Sequence, residues 1–254
     1  MSEVRLIALG VGDAFSARHY TTCYALGVGG AWLLIDCPHP VRKMWREASM
    51  AALGQALDLD VVAGVAITHL HADHASGLED QAYHAHFVLK RRPTWLAHPA
   101  VSARLWDGLL QAGMAEIRLS PDGEPARKRL EDYVDLVALD AAGPVEFGPF
   151  AIECRPTRHS VPTTAFRIRA GGRTFGFSAD TAFDPALIDW LSPADLIVHE
   201  ATTLDDSPVH TPYARLAALP EALRRKIRLT HLPDDFDADS SLIEPVRQGR
   251  CYRV

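Results

Sequence analysis

The stretch Thr68-His69-Leu70-His71-Ala72-Asp73-His74-Ala75-Ser76-Gly77 packs four potential metal ligands into six residues. It overlaps the end of an apolar run, residues 61–68, that reads as a buried strand. There the chain must turn into a helix expected from 74 to about 90. His69 and His71 are two apart, so in extended backbone they point the same way. Asp73 and His74 follow on the turn and can face a second point nearby. One such cluster could feed two adjacent ions, and neutral imidazole with carboxylate suits zinc, manganese or iron. Ligand types at this density rarely serve packing alone.

Outward from this stretch, short apolar runs alternate with turn signals. Residues 4–9, 23–28 and 31–35 read as strands, the last two joined around Gly29-Gly30. Residues 41–57 have helical composition, 94–97 form a short strand, and Pro99 suits a first helical turn. The polar segment 113–131 reads as a surface excursion. Strands resume at 134–139, 150–155, 164–170, 173–178 and 196–199, with Gly171-Gly172 a two-residue hairpin signal. Residues 185–191 and 212–225 look helical, and 227–230 and 251–254 look like final strands. Strands then helices, twice over, predict an α/β chain of one domain, 1–254, in two similar halves of about 1–140 and 141–254. Two sheets would stack between outer helical layers.

His69-x-His71-x-Asp73-His74 resembles the signature of the metallo-β-lactamase superfamily of metallohydrolases, and the family's other motifs recur downstream in order. Arg158-His159-Ser160 follows a strand, Ser178-Ala179-Asp180-Thr181 is similar to the family's Ser-Gly-Asp-Thr segment, and Leu229-Thr230-His231 ends a late strand. The likeness spans roughly residues 1–232. It implies a four-layer αββα sandwich with a dinuclear metal site at the edge of the two sheets. It also implies that His69, His71 and His159 hold the first metal, that Asp73, His74 and His231 hold the second, and that Asp180 bridges. Each candidate lies at the C-terminal end of an apolar run, where a rigid strand delivers a side chain to a sheet edge. Two ions about 3.5–4 Å apart would lower the pKa of a shared water towards roughly 7.

Val198-His199-Glu200-Ala201-Thr202 and His210-Thr211 are similar to motifs of the ribonuclease Z-like phosphodiesterase branch. That resemblance implies that Glu200 orients His210 and that His210 protonates the leaving oxygen, work an imidazolium can do near pH 7. His199 reads as a buried, hydrogen-bonded residue. Asp73, Glu200 and His210 are therefore the catalytic candidates. Two departures narrow the substrate. One hairpin fills the interval from His159 to Asp180, leaving no room for a tRNA-clasping arm, and Cys37-Pro38-His39-Pro40 stands where the family has Gly-Glu-Gly-Thr-Gln. The expected activity is hydrolysis of small or cyclic phosphodiesters by a metal-bridging hydroxide. It would use two divalent ions per chain, zinc before manganese or iron. Alternatives are a carboxylic ester hydrolase (a lactonase or thioesterase) and a non-catalytic metal-binding scaffold.

Composition sets limits on partners. The 254 residues are 48% hydrophobic and 23% charged, a globular balance. A net charge of −6 gives no footprint for long nucleic acid or anionic membrane, and no apolar run is long enough to span a bilayer. No export signal is visible and the four cysteines lie far apart, so a cytoplasmic protein without a disulfide framework is expected. A homodimer is a further implication of the resemblance. Among twelve histidines, His19, His39, His84, His86 and His98 read as surface or supporting residues. Lys90-Arg91-Arg92 reads as positive charge complementing a helix end.

Overall fold

The computed structural model describes residues 3–140 and 142–254. Strands β1 (Val4–Gly10), β2 (Cys23–Val28), β3 (Ala31–Ile35), β4 (Val62–Ile67) and β5 (Thr94–Ala97) come first. Strands β6 (Glu116–Ile117) and β7 (Ala126–Arg127) pair as a separate ribbon within the polar excursion. Then follow β8 (Asp135–Ala138), β9 (Val145–Phe147), β10 (Phe150–Pro156), β11 (Thr164–Ala170) and β12 (Arg173–Phe177). Strands β13 (Leu196–Glu200), β14 (Ile227–Thr230) and β15 (Cys251–Arg253) complete the set. They assemble as a seven-stranded sheet, β15-β1-β2-β3-β4-β5-β8, and a six-stranded sheet, β14-β13-β12-β11-β10-β9.

The period-two alternation of strand side chains sorts them into layers. Leu6 and Ala8 of β1 meet Phe150, Phe166, Phe177 and Val198 between the sheets. Ile7 and Leu9 face the other way, packing with Met44 and Trp45 of the helix Val41–Leu53. In the second sheet Val198 points between the sheets, while Ile197 packs with Leu187 and Leu191 of the helix Pro185–Leu191. Helix, sheet, sheet and helix give the four expected layers.

Three helices differ from the sequence reading. The helix expected over 41–57 ends at Leu53, because Gly54 turns left-handed (φ 72°) and donates its N–H to the Met50 carbonyl. The helix expected over 74–90 is broken into Ala72–Ala75, Leu78–Tyr83 and a wider-wound turn His84–Leu89. Its first break falls at Gly77, where a Cβ would lie 2.6 Å from the Pro38 carbonyl oxygen. Residues 212–225 form two short helices, Tyr213–Ala217 and Glu221–Arg224, parted at Pro220, whose ring supplies no N–H. The basic run also has another role than complementing a helix end. The Arg91 guanidinium donates to the carbonyls of Leu59, Asp60 and Val62, and Arg92 pairs with Asp135 at 2.8 Å.

Strands β3, β4 and β5 run parallel, as do β12, β13 and β14, so their C-terminal ends gather along one edge. Backbone bonds tie the two sheets there: Thr164 donates to the Thr68 carbonyl (3.1 Å) and His231 to the Val11 carbonyl (2.9 Å). Among the described residues no helix is long and apolar enough to cross a membrane.

Candidate metal centre

The turn after β4 carries His69 and His71, and the helix Ala72–Ala75 carries Asp73 and His74. Strands β10, β12 and β14 lead to His159, Asp180 and His231. Asp36 (φ 63°), Ala179 (φ 50°) and His231 (φ 54°) all adopt left-handed backbone at this edge, a conformation that non-glycine residues hold only under tertiary constraint.

Two groups of donor atoms form. In the first, His71 Nδ1 lies 3.2 Å from His69 Nε2 and 3.0 Å from His159 Nε2. Asp180 Oδ2 lies 3.7 Å from His69 Nε2 and 3.8 Å from His159 Nε2. In the second, Asp73 Oδ2 is 3.3 Å from His74 Nε2 and 3.2 Å from His231 Nε2. Asp180 reaches His74 through Oδ1 and His231 through Oδ2, both at 3.4 Å. Donors about 2.05 Å from a tetrahedral cation stand about 3.3 Å apart, and these separations scatter around that length. Asp180 belongs to both groups.

Outer contacts select the nitrogen that faces inward. His69 Nδ1 donates to Thr68 Oγ1 (2.9 Å) and His159 Nδ1 to the Val209 carbonyl (3.0 Å). His74 Nδ1 donates to Asp36 Oδ2 (2.7 Å). Ser160 Oγ meets the outward Nε2 of His71 at 3.3 Å. His74 Nε2 is then buried without a hydrogen-bond partner and faces two carboxylates. A divalent cation resolves that arrangement, and the donor set fits one in each group.

The electrostatics agree. Burial pushes His69 and His159 towards the neutral form, and neighbouring imidazoles push the same way. Burial also opposes charging of His74 and His231, yet Asp180, with Asp36 and Asp73, lifts His74 well above its ordinary value, and Asp180, with Asp73 and Glu200, lifts His231 to about 9. Burial would raise both Asp73 and Asp180. The histidines instead hold both carboxyls below their usual range: the hydrogen bond from His231 and the nearby His74 charge at Asp73, and the charges of His231 and His74 at Asp180. Cations entering the clusters would displace protons of this kind.

The sequence reading passed over Asp36. It is wholly buried and accepts from Thr68 N (2.8 Å), Thr68 Oγ1 and His74 Nδ1. Burial raises its pKa and the His74 charge opposes the rise. Only the parallel pairing of β3 with β4 shows that an aspartate directly after β3 sits at the same sheet edge.

Beside the clusters, Glu200 Oε1 accepts from Thr181 N (2.8 Å) and Thr211 N (3.2 Å) and faces His210 Nδ1 at 3.2 Å. The His210 ring stacks on His231 with centroids 5.1 Å apart and planes at 23°, and lies 5.3 Å from the His159 ring. His199 is buried and donates from Nδ1 to the Glu200 carbonyl (2.7 Å), and burial lowers its pKa to about 4. The other histidines stay apart among the described residues. His98 Nδ1, for instance, accepts from Ala100 N at the start of the helix Pro99–Ser102.

A family model described as anti-Pycsar protein Apyc1 matches residues 4–252. The chain belongs to the anti-Pycsar protein Apyc1 family. The Apyc1 protein of Saccharibacillus brassicae is 28% identical over 258 residues, covering 99% of this chain and 100% of its own length. The cAMP/cGMP-dependent 3',5'-cAMP/cGMP phosphodiesterase B of Dictyostelium discoideum is 23% identical over 259 residues, 93% of this chain but 21% of that protein. The metallo-β-lactamase fold protein YhfI from Bacillus subtilis superposes with a TM-score of 0.77 at 19% identity, over 100% of both chains. This Apyc1-family chain therefore has the metallo-β-lactamase fold that its histidine motif resembles.

Proposed function

We infer that this chain is a metal-dependent phosphodiesterase that opens small cyclic phosphodiesters of the 3',5'-cyclic nucleotide type. The observation that carries the reading is the Glu200–His210 pair stacked against the twin donor groups. Its kinship with the Dictyostelium phosphodiesterase supports the substrate class. His69, His71, His159 and Asp180 would hold one cation, and Asp73, His74, Asp180 and His231 the other. Bound there, two cations would supply Lewis acidity, lowering the pKa of a coordinated water towards roughly 7 and stabilising charge on phosphoryl oxygens. Imidazole-rich groups with tetrahedral spacing favour zinc over manganese or iron. Buried free thiols at Cys23, Cys37 and Cys154 fit a reducing cytoplasm.

His210 supplies the proton. With Nδ1 directed at Glu200, its Nε2 is the atom free to donate to the departing sugar oxygen. Burial alone would lower the His210 pKa, and the Glu200 hydrogen bond and charge raise it, favouring the proton-bearing form. Burial pushes the Glu200 carboxyl up, and His210 beside it holds it back. Water adds to phosphorus, the bond from phosphorus to the sugar oxygen breaks, and that oxygen takes the His210 proton, leaving a nucleoside monophosphate; the proton the water gives up passes to solvent, from which His210 is recharged.

The test is elemental analysis of protein purified without chelators, followed by assays on 3',5'-cyclic AMP, bis-p-nitrophenyl phosphate and a lactone. Two equivalents of divalent metal and chelator-sensitive cleavage of both phosphodiesters are expected. Turnover of the lactone with neither phosphodiester cleaved would overturn the reading.

A further inference from the structure

A third group of donor atoms stands at the shoulder of the twin groups. Glu200, His210 and His231 each bring a donor within 4.8 Å of the other two. The Glu200 carboxylate is buried, and its Oε2 takes no hydrogen bond among the described residues. Its Oε1 stands 3.2 Å from His210 Nδ1, close to the separation of about 3.3 Å between two donors of one tetrahedral cation. The His210 side chain is 27% exposed, so an ion can reach the gap from solvent. Resting on the phosphodiesterase reading for its consequence, we propose that Glu200 and His210 form a third, inhibitory cation site that takes zinc once the twin groups are full.

The donor set selects the ion. A buried carboxylate beside an imidazole suits zinc, whereas magnesium takes an octahedron of oxygens and sheds its waters reluctantly. His231 also belongs to the second donor group. With that group filled, the third position keeps Glu200 and His210 from the chain and water for the rest. Fewer protein donors and repulsion from the neighbouring cation make it the weakest of the three. Binding is an exchange of ions: the proton at His210 Nδ1 goes to solvent, and that nitrogen's lone pair turns to zinc. The carboxylate, otherwise left with one buried and unpartnered oxygen, gains a cation. The remaining Nε2–H belongs to a zinc-bound ring without its second proton, a far poorer acid than an imidazolium, so the departing sugar oxygen loses its proton donor.

Equilibrium dialysis against rising zinc, read by elemental analysis, counts the ions. Wild type should hold two equivalents tightly and gain a third in excess zinc, whereas His210→Ala and Glu200→Gln should each hold one equivalent fewer. Glutamine keeps an oxygen for the Thr181 and Thr211 N–H groups, and melting temperature verifies that both variants fold. In wild type the same excess should slow 3',5'-cyclic AMP cleavage by the factor a general acid contributes, about 10²–10⁴-fold, and bis-p-nitrophenyl phosphate far less. Magnesium at equal concentration should do neither, and matching inhibition by it overturns a site built on imidazole. A third equivalent that survives either substitution is adventitious zinc only and overturns the site. So does the lack of a third equivalent in wild type, the result expected if a proton or a water serves Oε2. Equal slowing of both substrates overturns the inhibitory role. Wild type inactive on both phosphodiesters sinks the phosphodiesterase reading instead, and the dialysis then still decides the site.

Discussion

Replacing Asp36 by asparagine probes how the second cation is held. The Asp36 carboxylate serves His74 Nδ1–H at 2.7 Å and Thr68 N–H at 2.8 Å at once. An asparagine has a single oxygen. If that oxygen keeps Thr68, the amide NH2 faces His74 Nδ1, which must then accept. The imidazole proton moves to Nε2, the nitrogen that faces Asp73 and Asp180. Backbone strain does not confuse the outcome, because asparagine tolerates the left-handed conformation of position 36 (φ 63°) nearly as well as aspartate. Loss of such an outer partner typically weakens metal binding about 10–100-fold, or roughly 1.4–2.8 kcal/mol. The fold should lose about 1 kcal/mol, one net hydrogen bond. Competition with a chromophoric chelator should show one of two tight zinc sites weakened at least about tenfold. A melt in excess chelator should fall by only about 2–4 °C. Two sites of wild-type affinity in Asp36→Asn would refute the argument that Asp36 sets the His74 tautomer.

Three other outcomes are expected. His210→Ala should slow cyclic nucleotide cleavage about 10²–10⁴-fold and bis-p-nitrophenyl phosphate far less, since nitrophenolate departs without a proton; equal losses would remove His210 from the proton-donor role. Ala179→Gly should be nearly neutral in a thermal melt. Relief of left-handed strain, about 1 kcal/mol, offsets loss of a buried methyl worth about 0.8 kcal/mol, whereas Ala179→Val, β-branched at φ 50°, should melt much earlier. Hydrogen bonds from Arg42, aided by Leu59 N and Arg46, hold the Asp58 carboxyl well below its usual range despite some burial. A depressed folded pKa gives stability that is present above about pH 4 and lost as pH falls through the folded value. Melting curves of wild type and Asp58→Asn should thus differ at neutral pH, by under about 1 kcal/mol given the half-exposed arginines, and converge in acid.

The sequence was most legible where chemistry is local. His69 to His74 carry their own spacing, and the strand before them fixes where they end up. His159, Asp180 and His231 were legible through motif order and through the apolar runs they terminate. Asp36 was not, because its partners Thr68 and His74 lie 32 and 38 residues away and only the parallel register of β3 and β4 brings them together. Helix ends were misread where tertiary contact decides them: the Pro38 carbonyl pressing on Gly77 cannot be seen from composition. Strand positions, set by hydrophobic alternation against two packed faces, agree closely with the structure except for the short β6, β7 and β9, which the sequence reading did not include.

Each donor group draws from both sheets: His69 and His71 from the first meet His159 and Asp180 from the second, and Asp73 and His74 meet Asp180 and His231. The cations would therefore rivet a seam rather than decorate a finished surface. Neither sheet alone supplies a full donor group, so complete sites exist only where the two sheets meet. Once loaded, the bound pair resists their separation by an amount that grows with free metal concentration.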